Sequence, residues 1–97
     1  MGAPAARMND MGSGHQVWPP HNCMMGCFTV IIGGRPACRT GDMWMIHCAP
    51  YGLGCHPSVT SMGSSSVIVG GMPQSRVGDD IVCGSVVMTG AFNVLIG

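Results

Sequence analysis

The sequence predicts an all-β protein in which three repeated β units surround a pseudo-threefold axis. Three observations indicate this fold class. The 97-residue chain contains 16 Gly and 7 Pro, which are poor helix formers. A charged motif occurs three times, and so does a short β-branched segment bounded by Gly. A chain of this length predicts one small domain, residues 1–97.

The charge content excludes several classes of protein. Charged residues make up 8% of the chain, and four Arg balance four Asp with no Lys or Glu. We therefore expect no nucleic-acid partner, because phosphate binding needs a face rich in Lys and Arg. The 46% of hydrophobic residues argues against disorder, and no apolar run reaches the ~18 residues of a membrane helix. The N-terminal segment lacks the apolar core of a signal peptide, so we expect synthesis in the cytoplasm without one.

The charged motif P-x-x-R-x-[GN]-D holds six of the eight charged residues. Its copies read PAARMND, PACRTGD and PQSRVGD. Each copy places an Arg three residues before an Asp, which gives Arg7–Asp10, Arg39–Asp42 and Arg76–Asp79. One expectation is that these pairs are partly buried and fix the junctions between units. The alternative is a set of surface pairs, each worth ~0–1 kcal/mol.

The β-branched segments predict strands over residues 26–32, 63–69 and 90–96. Gly33-Gly34 and Gly70-Gly71 suit tight hairpin turns, after which each Pro-x-x-Arg begins the return strand. Equivalent positions in the three segments are Phe28, Ser65 and Phe92, then Val30, Val67 and Val94, then Ile32, Val69 and Ile96. One unit is too short to bury its own apolar face, so we expect three units to bury one another.

A metal-binding side chain follows the Asp of every motif. His15 and His47 each lie five residues after their Asp, and Cys83 lies four residues after its Asp. Around an axis these side chains would converge, and His56 in the insertion HCAPYGLGCH is the candidate fourth ligand. Four protein ligands predict one closed, structural zinc ion, although iron would accept the same donors.

Other His and Cys residues compete for this site. His21 is the second choice to His15, but it follows two prolines and lacks the register of the repeats. The remaining candidates are interpreted mainly as small buried residues: Cys23, Cys27, Cys48 and Cys55. The C-x3-C spacing of residues 23–27 could imitate half of a zinc site. A Cys48–Cys55 disulfide is a further alternative if the protein leaves a reducing cell.

The chain resembles the PAAR-repeat proteins over essentially its whole length. The resemblance rests on the repeated Pro-x-x-Arg units, with PAAR intact at residues 4–7, and on the segment VGDDIVCGSVVMTG. This resemblance implies a small β cone with a zinc near its point, bound by three His and one Cys. His15, His47, His56 and Cys83 match that ligand set. The departures are Asn9 in place of Gly before the first Asp, and the motif forms PACR and PQSR.

The resemblance also implies a function. PAAR-repeat proteins form the sharp tip of contractile injection machines, in type VI secretion systems (on a VgrG-like spike) and in contractile phage tails. We therefore expect a non-enzymatic tip, one copy of which caps a trimeric β-helical spike and contacts membrane transiently during puncture. Its place would be a virion tail tip or the secreted end of a type VI apparatus. We expect Phe28, Val30, Phe92 and Val94 at or next to the base that meets the spike, and the metal at the opposite end.

Two alternatives belong to other classes. A small zinc hydrolase is disfavoured because four ligands close the metal and no Glu is present to act as a general base. An adaptor that links a toxin or effector to the spike is the second alternative. The chain extends from the first motif to the last strand segment, so we expect no room in it for an additional toxic domain.

Overall fold

A computed structural model describes residues 2–97 and shows ten short strands arranged in five two-stranded antiparallel sheets. Residue 1 of the expected domain lies outside the described residues. The strands are β1 (Ala3–Ala5), β2 (Met11–Gly12), β3 (His21–Asn22), β4 (Cys27–Ile32), β5 (Arg35–Ala37), β6 (Met43–Cys48), β7 (Cys55–Val59), β8 (Ile68–Val69), β9 (Met72–Pro73) and β10 (Ala91–Ile96). No helix long and apolar enough to span a membrane occurs within residues 2–97.

Three of the sheets are the predicted units, namely β4–β5, β8–β9 and β10–β1. The third unit joins the two ends of the described chain. Both Gly-Gly turns have positive φ at each position, 56° and 83° at Gly33-Gly34 and 55° and 84° at Gly70-Gly71. These are the angles of a tight hairpin turn whose twist matches that of the strands. The predicted turns and return strands are confirmed.

The repeated segments share one burial pattern. In residues 27–32, 64–69 and 91–96 the six positions are buried, exposed, exposed, half-buried, exposed and buried in turn. The predicted strand over residues 63–69 was nevertheless too long, because only Ile68–Val69 is a regular strand. The hydroxyl of Ser64 accepts the backbone N–H groups of Ser66 and Val67 at 3.1 and 2.9 Å, which replaces sheet pairing locally.

A closed ring of backbone hydrogen bonds marks the pseudo-threefold axis. Ala6 N–H donates to Ser75 O at 2.9 Å, Ser75 N–H to Cys38 O at 2.9 Å, and Cys38 N–H to Ala6 O at 3.0 Å. These residues hold the same place in the three motifs and are fully buried. The residue after each motif Arg likewise donates to the proline carbonyl of a neighbouring motif at 2.8 to 2.9 Å. The three motifs therefore pair with one another around the axis.

The motif ion pairs are buried on the carboxylate side. Exposure is 2%, 3% and 5% for Asp10, Asp42 and Asp79 respectively. Each carboxylate binds the Arg of its own motif through the backbone N–H and the guanidinium. Arg7 and Arg39 also lie against the Gly-Gly turn of the next unit, where a Cβ on Gly33 or Gly70 would stand 2.8 Å from a guanidinium nitrogen. Partial burial of the pairs is thus confirmed, and they contact the junctions between units.

The buried apolar residues form two small cores, which we term the lower core and the upper core. The lower core belongs to the three units and comprises Ala5, Cys27, Ile32, Ala37, Val69, Ala91 and Ile96. The upper core comprises Ala6, Cys23, Cys38, Trp44, Ile81 and Val87. Consecutive motif residues, such as Ala5 and Ala6, contribute to one core and then to the other. The indole N–H of Trp44 donates to the Thr60 hydroxyl at 2.6 Å, which satisfies its polar atom inside the upper core.

Candidate metal centre

The insertion after the second motif forms a hairpin rather than a loop. Strands β6 and β7 place His47 directly opposite His56, and Cys48 directly opposite Cys55. Facing residues of an antiparallel pair bring their side chains close together. The hairpin therefore delivers two imidazoles to one place, which explains how residues nine apart in the sequence meet.

The loop after the first motif delivers the third imidazole. His15 and Trp18 exchange backbone hydrogen bonds of 3.0 and 2.8 Å, and their rings stack with centroids 5.1 Å apart. The Trp18 indole N–H donates to Gly54 O at 3.2 Å, which links this loop to the turn of the β6–β7 hairpin. Trp18 therefore holds His15 beside the other two imidazoles.

The turn after the third motif delivers a thiol. The backbone N–H of Cys83 donates to the Ser58 hydroxyl of β7 at 2.9 Å. Gly84 has φ of 107°, a backbone conformation that favours glycine, and it lies against the His15 ring. The turn after Ile81 thus brings the thiol to the hairpin and to the first loop.

These four side chains form what we term the metal group: His15, His47, His56 and Cys83. One potential ligand atom from each lies within 4.8 Å of the others. The Nε2 atom of His56 is 2.6 Å from Nε2 of His47 and 3.1 Å from Nε2 of His15. Two nitrogens bound tetrahedrally at the usual Zn–N length would stand about 3.3 Å apart. The group is therefore close to the size of a zinc site and could hold a metal ion.

The proton positions also suit metal binding. His47 Nδ1–H donates to Pro19 O at 2.7 Å, so its Nε2 carries a free lone pair toward the group. Desolvation, and then the neighbouring imidazoles of His47 and His15, lower the pKa of His56 below its usual value. A lowered pKa keeps the imidazole neutral at pH 7, which is the form that binds a metal.

His21 takes a different position from the metal group. Its Nδ1–H donates to Met45 O at 3.1 Å, and its ring stacks face to face on His47 with centroids 4.0 Å apart. Its Nε2 is buried without a hydrogen-bond partner in the described part of the chain, beside Gly12. Desolvation lowers the pKa of His21. The structure thus places His21 behind His47, as a ring that supports it.

The cysteine interpretation was correct for two residues and wrong for two. Cys23 and Cys27 are buried, as expected, and stand in separate cores rather than in half of a zinc site. Cys48 and Cys55 are exposed and form a disulfide, the alternative that the sequence left open. The physical reason is their pairing across the β6–β7 hairpin, which puts the two sulfurs in bonding range at the rim of the metal group.

A second surface lies beyond the lower core, and we term it the base. It consists of the exposed side chains of residues 27–32, 64–69 and 91–96, which include no charged residue. Phe28 and Phe92 are 72% and 85% exposed, while Val30 and Val94 pack against the lower core. Cys83 of the metal group packs against the upper core, whereas Val30, Val67 and Val94 of the three segments pack against the lower core. The molecule extends 41 × 25 × 21 Å.

The sequence matches the profile of a known protein family. The sequence profile described as the PAAR motif matches residues 14–89, about four fifths of the 97-residue chain. This range includes the whole metal group and the second and third copies of the charged motif. A search of curated proteins found no match.

Proposed function

The chain belongs to the PAAR-motif family, and from that premise we propose that one copy of it caps a trimeric β-helical spike as a metal-stabilised tip. A PAAR motif implies a spike-tip role in a contractile injection or type VI secretion system, and proteins of this family are structural rather than enzymatic. The proposal adds the partner's symmetry, the surface that meets it and the role of the metal. It treats residues 1–97 as one domain.

The shared burial pattern of the three units is the observation that carries the proposal. Residues 27–32, 64–69 and 91–96 expose the same positions in the same order around the pseudo-threefold axis. Each unit can thus offer an equivalent edge and an equivalent side-chain row to one chain of a true trimer. Strand addition to an open β-helix end would satisfy the exposed backbone groups on both partners. Matching symmetry makes one tip per trimer the natural stoichiometry.

The apolar character of the base supports a protein partner. Large side chains remain exposed there without a covering element, including Phe28, Ile31, Ile68, Phe92 and Leu95. A monomer rarely leaves so many large apolar side chains together in water unless they bind something. The absence of charge from the three segments also disfavours nucleic acid as the partner.

We assign the metal a structural role in this tip. His15, His47, His56 and Cys83 supply three nitrogens and one sulfur, a donor set that suits tetrahedral Zn²⁺ and tolerates iron. Four protein ligands leave no open coordination position, so the ion would hold the three loops together rather than activate water. A domain this small and rich in Gly needs such a restraint.

The end that carries the metal group is proposed to contact membrane transiently during puncture. Its exposed side chains include Val17, Tyr51 and Leu53, which are 51%, 97% and 59% exposed. These are apolar or amphipathic, so they can pass lipid at little electrostatic cost. The protein would act at a phage tail tip or at the end of a type VI apparatus.

Substitution of one base side chain tests the proposal. Phe92→Asp places a charge on the base at a position that is 85% exposed, so the fold should survive. Tyr51→Asp is the matched control, because Tyr51 is 97% exposed at the metal end. Titration against a trimeric β-helical spike fragment by calorimetry should show at least tenfold weaker binding for Phe92→Asp and unchanged binding for Tyr51→Asp. Equal binding by both variants would refute docking through the base.

A further inference from the structure

Two cysteine sulfurs meet at the centre of the upper core. Cys23 and Cys38 have Sγ atoms 2.8 Å apart, and neither residue is exposed. Cys38 belongs to the ring of backbone hydrogen bonds on the pseudo-threefold axis. Cys23 follows β3 and exchanges backbone hydrogen bonds with Asn9 and Asp10. The contact therefore joins the long connection of the first unit to the motif of the second unit.

The distance between the sulfurs is short for two separate thiols. Dispersion contacts between carbon atoms are optimal at about 3.5–4.0 Å, and sulfur is the larger atom. The observed 2.8 Å lies well inside that contact range and is longer than the S–S bond of about 2.05 Å, so a small movement of the two sulfurs would form the bond. Two cysteine sulfurs bound to one tetrahedral zinc would stand roughly 3.8 Å apart, which is too far for a metal to explain this contact.

We propose that Cys23 and Cys38 form a second disulfide, which closes while the chain folds. The two thiols lose two protons and two electrons and gain one S–S bond, and a small-molecule or protein disulfide is the oxidant and is reduced to two thiols. This inference is independent of the proposed function. Cys48 and Cys55 already form a disulfide at the rim of the metal group, so another cysteine pair of this chain undergoes the same oxidation.

Burial explains why closure belongs to folding. No oxidant can reach Cys23 or Cys38 in the folded protein, because both are fully buried. Contact with Cys23 and desolvation raise the pKa of the Cys38 thiol, which leaves little reactive thiolate. The pair must therefore react before the upper core closes. The exposed Cys48 and Cys55 carry no such restriction.

Counting free thiols tests the proposal on the full chain. The protein is refolded with Zn²⁺ and glutathione disulfide, then denatured with a chelator, alkylated with iodoacetamide and weighed intact. The proposal places four of the six cysteines in disulfides, so two carbamidomethyl groups should be added, at Cys27 and Cys83. Four added groups would overturn the proposal, because only the hairpin disulfide would then have formed.

Variants and the order of oxidation make the test specific. The Cys38→Ala variant should gain three carbamidomethyl groups, and the Cys27→Ser variant should gain one. If Cys38→Ala does not fold, Cys23→Ala replaces it and should also gain three. Equal counts for Cys38→Ala and Cys27→Ser would contradict the pairing. Protein folded first in dithiothreitol and oxidised afterwards should add four groups, because only the exposed pair reacts. Two groups in that arm would contradict closure during folding.

Discussion

The adjacent carboxylates of Asp79 and Asp80 allow a matched test of the motif ion pairs. Asp79 is 5% exposed and accepts the backbone N–H, Nε–H and Nη2–H groups of Arg76 at 2.7, 3.1 and 2.8 Å. The same contact raises the pKa of Arg76. Asp80 is exposed. Asp79→Asn and Asp80→Asn therefore remove the same charge at neighbouring positions, one inside an ion pair and one outside it.

The expected cost of Asp79→Asn is large for a domain of this size. Asn keeps one acceptor oxygen, which at the position of Oδ2 retains two of the three hydrogen bonds. The third bond, to Oδ1, is lost together with the counter-charge for Arg76. Loss of one partner of a buried ion pair costs about 3–5 kcal/mol, and exposure of the Arg76 side chain (23%) lowers this to about 2–4 kcal/mol. Total stability of a domain is only about 5–15 kcal/mol. Asp80→Asn should change it by less than about 0.5 kcal/mol.

Denaturant unfolding with excess Zn²⁺ measures both variants. The fluorescence of the buried Trp44 reports loss of the upper core, and the midpoint and slope give the free energy of unfolding. A midpoint for Asp79→Asn that matches that of Asp80→Asn would refute the argument that the motif carboxylates stabilise the junctions between units.

Three further outcomes follow from the same geometry. His47→Ala should abolish stoichiometric metal binding and destabilise the fold, whereas His21→Ala should retain the metal. Atomic emission on the purified variants measures the metal content per chain. Metal loss by His21→Ala alone would show that His21 rather than His47 is the ligand. The fold lowers the pKa values of His56 and His21, so as the pH falls through their usual value of 6.5 the unfolded chain binds protons before the folded chain does. The metal-free protein should therefore lose stability from pH 7.5 to 5.5. Denaturant midpoints that stay constant over this range would contradict the argument. Gly70→Ala should destabilise the fold by about 1–3 kcal/mol more than Gly71→Ala. A Cβ on residue 70 would stand 2.8 Å from the Arg39 guanidinium, while a Cβ on residue 71 would meet open space. Equal thermal midpoints for the two variants would contradict the packing argument.

The repeat made much of this structure predictable. Residues at nearly equal distances after each motif, four or five residues beyond the Asp, reach the same end of a pseudo-threefold molecule. The register of the repeats therefore predicted that His15, His47 and Cys83 lie together. His56 needed the additional idea that the insertion folds back. The turns at Gly33-Gly34 could be predicted because few other sequences adopt two consecutive positive φ angles.

Features that depend on individual side chains were not predictable. The Ser64 hydroxyl shortens the second strand by binding backbone N–H groups, a competition that periodicity does not show. The pairing of Cys48 with Cys55 depends on the register of a hairpin that the sequence suggested only as a loop. The place of Trp44 at the centre of the upper core depends on its contact with Thr60, which is distant in sequence.

The mass of the intact complex tests the central claim most directly. The protein is mixed with a trimeric β-helical spike fragment in a volatile buffer that preserves bound metal, and the assembly is weighed by native mass spectrometry. The account predicts one copy of this chain, three spike chains and one metal ion. A complex with three copies of this chain per trimer, or a one-to-three complex without metal, would contradict a symmetry-matched tip held together by an ion.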